Sequence, residues 1–293
     1  MKHEAIGMVG LGLVGQALAA RLHAAGLRTI GYDVRHEAAA AFRERGGDTA
    51  ASLAGLGEQV GTVLLAVFDT ADVLEVVEGQ GGLLSGSHDV RRIVDCSTGT
   101  PDALEALARR LRERGVDFIE APLSGSSQQI AAGEAVALVG AEQPAWHAAR
   151  PLLSTLAAQC IHVGGPGMGA KAKLATNLVL GLNRAVFAEG LVFAESLGIA
   201  PDRFLDLVLA TPARSEAARI KGPLMVADDF EPRSRIRQHQ KDVALMLECA
   251  RERGLDLPFS RLHAALLAEA VEQGRGELDN AAILLQLRGR RPG

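Results

Sequence analysis

The stretch AIGMVGLGLVGQALAARLHAAGLRTIGYDVR, residues 5–35, decides how the first half of the chain folds. Ala5 to Val9 is short and mostly apolar, as a buried strand requires. It runs into Gly10-Leu11-Gly12-Leu13-Val14-Gly15 and then into an apolar-periodic helix, after which a second strand signal, Thr29 to Tyr32, ends at Asp33. In such a strand–turn–helix unit Gly10 makes the tight turn, Gly12 lets a pyrophosphate approach the backbone, and Gly15 lets helix and strand pack closely. The helix N-terminus adds unpaired N–H groups and the positive end of its dipole. A lone GxGxxG is a weak signal, but a strand before it, a helix after it and an acidic residue roughly 20 positions on make it a dinucleotide-binding signature. The candidate cofactor residues are therefore Gly10 through Gly15, with Asp33, Val34 and Arg35 at the end of the second strand. Asp33 can accept from both ribose hydroxyls and repels a 2′-phosphate, which favours NAD over NADP. Arg35 keeps NADP open, because a guanidinium there can pair with that phosphate; the preferred reading is a solvated charge at the start of the next helix.

Up to about residue 165, strand-like runs alternate with helical ones. The runs are Gly61 to Val67, Arg92 to Asp95, Phe118 to Glu120, Ala135 to Val139 and Ile161 to Val163, with helical patterns over Asp102 to Arg114 and Pro144 to Leu156. This alternation predicts an α/β Rossmann-type, doubly wound parallel sheet over residues 1–165. After Gly167 no strand signal appears. Residues 169–197 form one long helical pattern, apolar on most sides, and three or four more helices follow, broken at Gly198, Gly222-Pro223, Gly254 and Gly274. A helix apolar nearly all round is usually buried. The second domain, 166–293, is thus expected to be all-α, built on a long interdomain helix that also serves oligomerisation.

Composition agrees. The chain has 293 residues, 48% of them hydrophobic, and a formal net charge of −4, which argues against nucleic acid as the main partner. No run approaches 18 uninterrupted apolar residues, and the first four residues lead straight into a strand, so neither a membrane span nor a signal peptide is expected. Cys96, Cys160 and Cys249 are scattered without metal-ligand spacing, so no metal is expected and reduced thiols in a cytoplasmic protein are the simplest account.

The chemistry points to the start of the long helix. Residues advance about 100° each, so Lys173 and Asn177 lie ~40° apart on one face, Thr176 ~60° from Lys173, and Lys171 ~200° away. Hydride transfer from an alcohol needs a base for the hydroxyl proton, and the reverse needs an acid for the forming alkoxide. A lysine can serve both if burial lowers its pKa, with Asn177 donating to or orienting the substrate oxygen. Taken alone, an ordinary lysine beside a solvated helix start fits equally well.

Five ordered motifs make the chain resemble the β-hydroxyacid dehydrogenases, the group of 3-hydroxyisobutyrate dehydrogenase and tartronate semialdehyde reductase, with a 6-phosphogluconate dehydrogenase-like fold. The first is GLGLVG through Asp33. VDCSTGTP, residues 94–101, is similar to the family's DxSTxxP stretch and implies that Thr98 lies near the nicotinamide. EAPLSGS, residues 120–126, resembles its substrate loop DAPVSGG, which implies that Ser124, Gly125 and Ser126 meet the substrate carboxylate. GMGAKAKLATN resembles GxGxxxKxxNN, placing Lys173 as catalytic lysine and Asn177 as its partner; Phe230 with Lys241-Asp242 matches FxP…KD, whose lysine approaches the cofactor. Where relatives carry MLP over the adenosine side, this chain has Ala66-Val67-Phe68, so Val67 and Phe68 join the cofactor candidates. It departs from the pattern at Glu120, at Ser126 to Gln129, at Thr176, and in the polar run before Lys241, within RSRIRQHQKD, all of which bear on the substrate.

The polar run carries Arg233, Arg237 and Lys241 at i, i+4 and i+8, open to an anionic substrate or to an interface, and His239, read as solvent-facing rather than as a proton shuttle. The resemblance implies an NAD(P)-dependent oxidoreductase that interconverts a small 3-hydroxy acid and its semialdehyde, as a homodimer or homotetramer. The alternatives are a sulfonate or other acid semialdehyde reductase, an imine reductase, whose members usually lack lysine at this helix position, and a non-catalytic NAD-binding scaffold, which the retained lysine disfavours.

Overall fold

Every apolar run before residue 165 becomes a strand of one nine-stranded sheet in the computed structural model, which describes residues 5–290. The first four residues, on which the expectation of a leaderless start rests, lie outside the described residues. In chain order the elements are β1 (Ile6–Val9), α1 (Leu13–Ala24), β2 (Thr29–Tyr32), α2 (His36–Glu44), β3 (Asp48–Thr49), α3 (Leu53–Gly57), β4 (Thr62–Leu65) and α4 (Thr70–Glu78). Then come β5 (Arg92–Asp95), α5 (Pro101–Glu113), β6 (Asp117–Glu120), β7 (Leu123–Ser124), α6 (Ser127–Ala132), β8 (Val136–Gly140), α7 (Gln143–Leu156) and β9 (Gln159–Gly164).

The sheet runs β3-β2-β1-β4-β5-β6-β8-β7, with β9 on β8. Strands β3 to β6 are parallel, but β8 is antiparallel to both β6 and β7. The sheet is parallel-dominant, as the doubly wound reading expects, and the antiparallel pairings of β8 are a detail the sequence did not show. An apolar run reads the same in either direction, and β7, two residues long, is too short to show a period. Alternate residues face opposite layers, as the pleat requires. Leu64, Val94 and Ile119 belong to one apolar layer; Val63, Leu65, Ile93 and Phe118 belong to the other. Emptying one such position, for example Leu64→Ala, costs about 2–5 kcal/mol.

The remaining helices are α8 (Met168–Ser196), α9 (Pro201–Ala210), α10 (Glu216–Val226), α11 (Ile236–Glu252), α12 (Pro258–Glu272) and α13 (Ile283–Arg288), the last preceded by a 3₁₀ turn at Asn280–Ala282. The two compact units are Met1–Lys173 and Leu174–Gly293, with the division inside α8. The second unit packs Phe187, Leu191, Met225, Val243, Leu267 and Ile283 into its own core. The expected break at Gly222-Pro223 does not occur, since both lie inside α10. A Cβ at Gly222 would collide with Leu205 and sit 3.1 Å from Phe187 Cζ, so the glycine is there for contact between helices, and packing overrides the local cost of both residues. Helix α8 is long and apolar enough by composition to cross a bilayer. Its Leu174, Phe187, Ala188 and Leu191 are instead buried in the second unit, which makes it a core helix.

Candidate active site

Strands β2, β1, β4 and β5 are parallel and in register, so their carboxyl ends bring Asp33, Gly10, Ala66 and Cys96 to one edge of the sheet. The strand order reverses between β1 and β4, and a crevice at such a switch point is where open α/β sheets bind ligands. Gly10 has φ +86°, and a Cβ on it would collide with the Ala66 carbonyl. Helix α1 has no side-chain cap, and its first internal bond is Gln16 N–H to Gly12 O at 2.9 Å. The N–H groups of Leu13, Val14 and Gly15 therefore point out of the turn, as a pyrophosphate site needs. The glycine cradle fits a dinucleotide.

Asp33 is the most engaged residue at this edge. Its carboxylate accepts from Leu11 N–H at 2.7 Å, from Arg35 N–H at 2.9 Å, and from the Arg35 guanidinium at 3.1 and 3.0 Å. Burial alone would raise this carboxyl, but the Arg35 bonds and the Leu11 N–H outweigh it and hold it below the ordinary value. Arg35 is the exposed charge at the start of α2 that the sequence suggested, but it also closes onto Asp33. It forms a two-bond pair with Asp33 beside the glycine turn, with Nη2 3.6 Å from where a Gly12 Cβ would stand. The side chain of Val34 points to solvent.

Farther along the edge, Val67 donates its N–H to Ser97 Oγ at 3.0 Å, and Phe68 donates its N–H to Asp72 at 3.1 Å while leaving its ring half-exposed. Thr98 is buried just past β5. Ser97 had no sequence signal of its own beyond membership of the DxSTxxP stretch.

The next strand ends hold the amine. Lys173 is 7% exposed, and its Nζ donates to Leu123 O at 2.7 Å, directly before Ser124. Ser124 is half-buried, and Gly125 is exposed with φ +152°. Ser126 caps α6, its Oγ accepting from Gln129 N–H at 3.3 Å while Gln129 Oε1 accepts from Ser126 N–H at 2.9 Å. Lys171 faces away, as helix geometry required, and lies 3.7 Å from Glu105. Glu120, 1% exposed, accepts from the N–H groups of Gly167 and Ala170, the latter at 3.0 Å, and so caps the start of α8. Burial pushes its carboxyl up to about 7, and the charge of Asp95 adds to this, against the backbone donors of Ala170, Gly167 and Gly169.

In the second unit Asn177 donates Nδ2–H to Asp242 Oδ2 at 3.1 Å, and Lys241 Nζ lies 3.2 Å from Asp242 Oδ1. Asp242 thus turns the Asn177 amide and holds the lysine, a role the sequence did not reveal although the Lys-Asp pair was in view. The rest of the polar run resolves differently. Arg233 pairs with Asp229 at 2.6 Å, and the exposed Arg237 pairs with Glu277 at 2.7 Å. His239 is not solvent-facing: it is 7% exposed, with its ring 5.1 Å from that of His263. Thr176 is exposed.

Family models cover nearly the whole chain. The one described as the NAD binding domain of 6-phosphogluconate dehydrogenase matches residues 5–164, and the NAD-binding model of NADP-dependent 3-hydroxyisobutyrate dehydrogenase matches residues 167–287. The chain is 28% identical to 2-(hydroxymethyl)glutarate dehydrogenase of Eubacterium barkeri over 95% of its own length and 93% of the relative's. It is 29% identical to 2-hydroxy-3-oxopropionate reductase of Escherichia coli over 96% of each chain. The solved structure of 3-hydroxyisobutyrate dehydrogenase from Salmonella typhimurium is 26% identical, covers 96% of this chain and 99% of its own, and superposes with a TM-score of 0.85.

Proposed function

The chain belongs to the β-hydroxyacid dehydrogenase family, and from that premise we propose that it interconverts a small 3-hydroxy acid and its semialdehyde with Lys173 as general acid and base. The coarser activity, that of an NAD(P)-dependent hydroxyacid dehydrogenase, comes with the family. When bound, NAD(P) accepts or returns the hydride of the carbinol carbon. Lys173 takes the hydroxyl proton in oxidation and protonates the forming alkoxide in reduction. Asn177, turned by Asp242, retains one amide hydrogen and its Oδ1 to position that oxygen. Ser124 Oγ and the Gly125 N–H hold the carboxylate.

The observation that carries this reading is the Lys173 Nζ bond to Leu123 O, which aims a buried amine at the backbone next to Ser124 while Asn177 follows one helical turn later. NAD is the proposed preference, because Asp33 offers a carboxylate to the ribose diol, and Arg35 sets how much NADP is accepted. We place the enzyme in the cytoplasm as a homodimer or homotetramer. Three free cysteines support the first, and an exposed apolar stripe on α8, Val179, Val186 and Phe193, every seventh residue, supports the second.

The test is a pair of lysine variants assayed on C3 to C5 hydroxy acids and semialdehydes with both cofactors. Lys173→Ala should lower kcat by ~10²-fold or more while cofactor binding stays near normal, and Lys171→Ala should be nearly silent. Equal losses in the two variants would end the assignment.

A further inference from the structure

The polar face of α8 continues past Asn177 within the second unit. Gly181 and Arg184 follow on that face, one turn apart. A Cβ at Gly181 would collide with His239 Nε2 and lie 3.1 Å from His263 Cε1, so the glycine lets both imidazoles close onto α8. Arg184 is 4% exposed, and neither its Nε nor its Nη2 has a hydrogen-bond partner among the described residues. His263 is 3% exposed, and its Nε2 likewise has none. Burial, and then the charge of Arg184, pushes the His263 imidazole down to about 4, which marks it as neutral and close enough to feel the guanidinium.

The carboxylate that acts on Arg184 is Asp279. It is already committed. Lys221 Nζ lies 2.7 and 2.9 Å from its two oxygens, Ala281 N–H donates to Oδ1, and the N–H groups of Arg233 and Ser234 donate to Oδ2. Five donor contacts fill the roughly four lone-pair positions of a carboxylate. The neighbouring cation Arg233 brings its own partner, Asp229. Two buried cations, Lys221 and Arg184, thus share one carboxylate, and an uncompensated buried charge is strongly destabilising.

We propose that Arg184 Nε and Nη2, together with His263 Nε2, bind one small monovalent anion of the halide class inside the helical unit. The anion balances the second cation and accepts from the guanidinium and from the Nε2–H tautomer of His263. A halide suits the place because one spherical ion can accept from all three N–H groups at once. The anion's role there is structural.

The test uses the full-length enzyme. Crystals grown in sodium bromide should show an anomalous peak within bonding distance of Arg184 Nε and Nη2. In solution, wild-type Tm should rise saturably by roughly 3 °C or more as sodium chloride replaces sodium gluconate at constant ionic strength. Arg184→Met, which keeps much of the volume, should lose that chloride-specific rise. A water and no bromide peak beside Arg184 overturns the proposal, as does an equal chloride response in wild type and variant. If Arg184→Met does not fold, the bromide map of the wild type decides alone.

Discussion

Replacing Glu120 by Gln separates the charge of the α8 cap from its shape. The carboxyl is 1% exposed and is raised from an ordinary 4.5 to about 7. Below pH 4.5 it is protonated in folded and unfolded chains alike. Between that value and about 7 the folded chain keeps a proton that the unfolded chain releases, so stability falls as pH rises through this window. The separation of the two values corresponds to about 3 kcal/mol, present below pH 4.5 and lost above about pH 7. For a protein of this size that is a Tm difference of roughly 6–12 °C. Thermal unfolding of wild type and Glu120→Gln at pH 5 and pH 8, in buffers matched for ionic strength, reads it out. Other groups titrate in both proteins, so the quantity to compare is the difference between the two slopes. Between pH 5 and pH 8 the variant should be flatter by about 2.5 kcal/mol. Identical slopes would mean that the backbone donors keep Glu120 ionised throughout and that burial does not dominate its titration.

Arg35→Ala should release Asp33 for the ribose diol, raising KM for NADP by roughly tenfold or more, a loss of about 1.4 kcal/mol, without raising KM for NAD; unchanged NADP kinetics would refute the proposed role of the Asp33–Arg35 pair. Asp242→Ala should lower kcat by about tenfold or more while leaving the cofactor Kd within about twofold, because it frees the Asn177 amide; a loss confined to cofactor affinity would assign Asp242 to Lys241 alone. Phe193→Glu should shift the enzyme toward monomer in sedimentation velocity with its fold intact, since a charge on an apolar interface is costly; an unchanged assembly would place the interface elsewhere.

What the sequence determined by itself was whatever depends on neighbours in the chain. The glycine turn between β1 and α1, the order of strands and helices, the helical character after Gly167 and the shared face of Lys173 and Asn177 all follow from spacings of a few residues. Lys171 turned away for the same reason. What only the tertiary structure decided were pairings across distance. The direction of β8, the continuity of α10 through Pro223, the burial of His239, and the partners of Asp33, Asn177 and Arg184 each depend on which surface arrives opposite. A periodicity records which face of an element is buried but not what it is buried against. Arg35 and Arg184 carry the same side chain in the sequence; one meets a carboxylate two residues away at 3.0 Å, and the other lies in a helical core where Asp279 has already been taken.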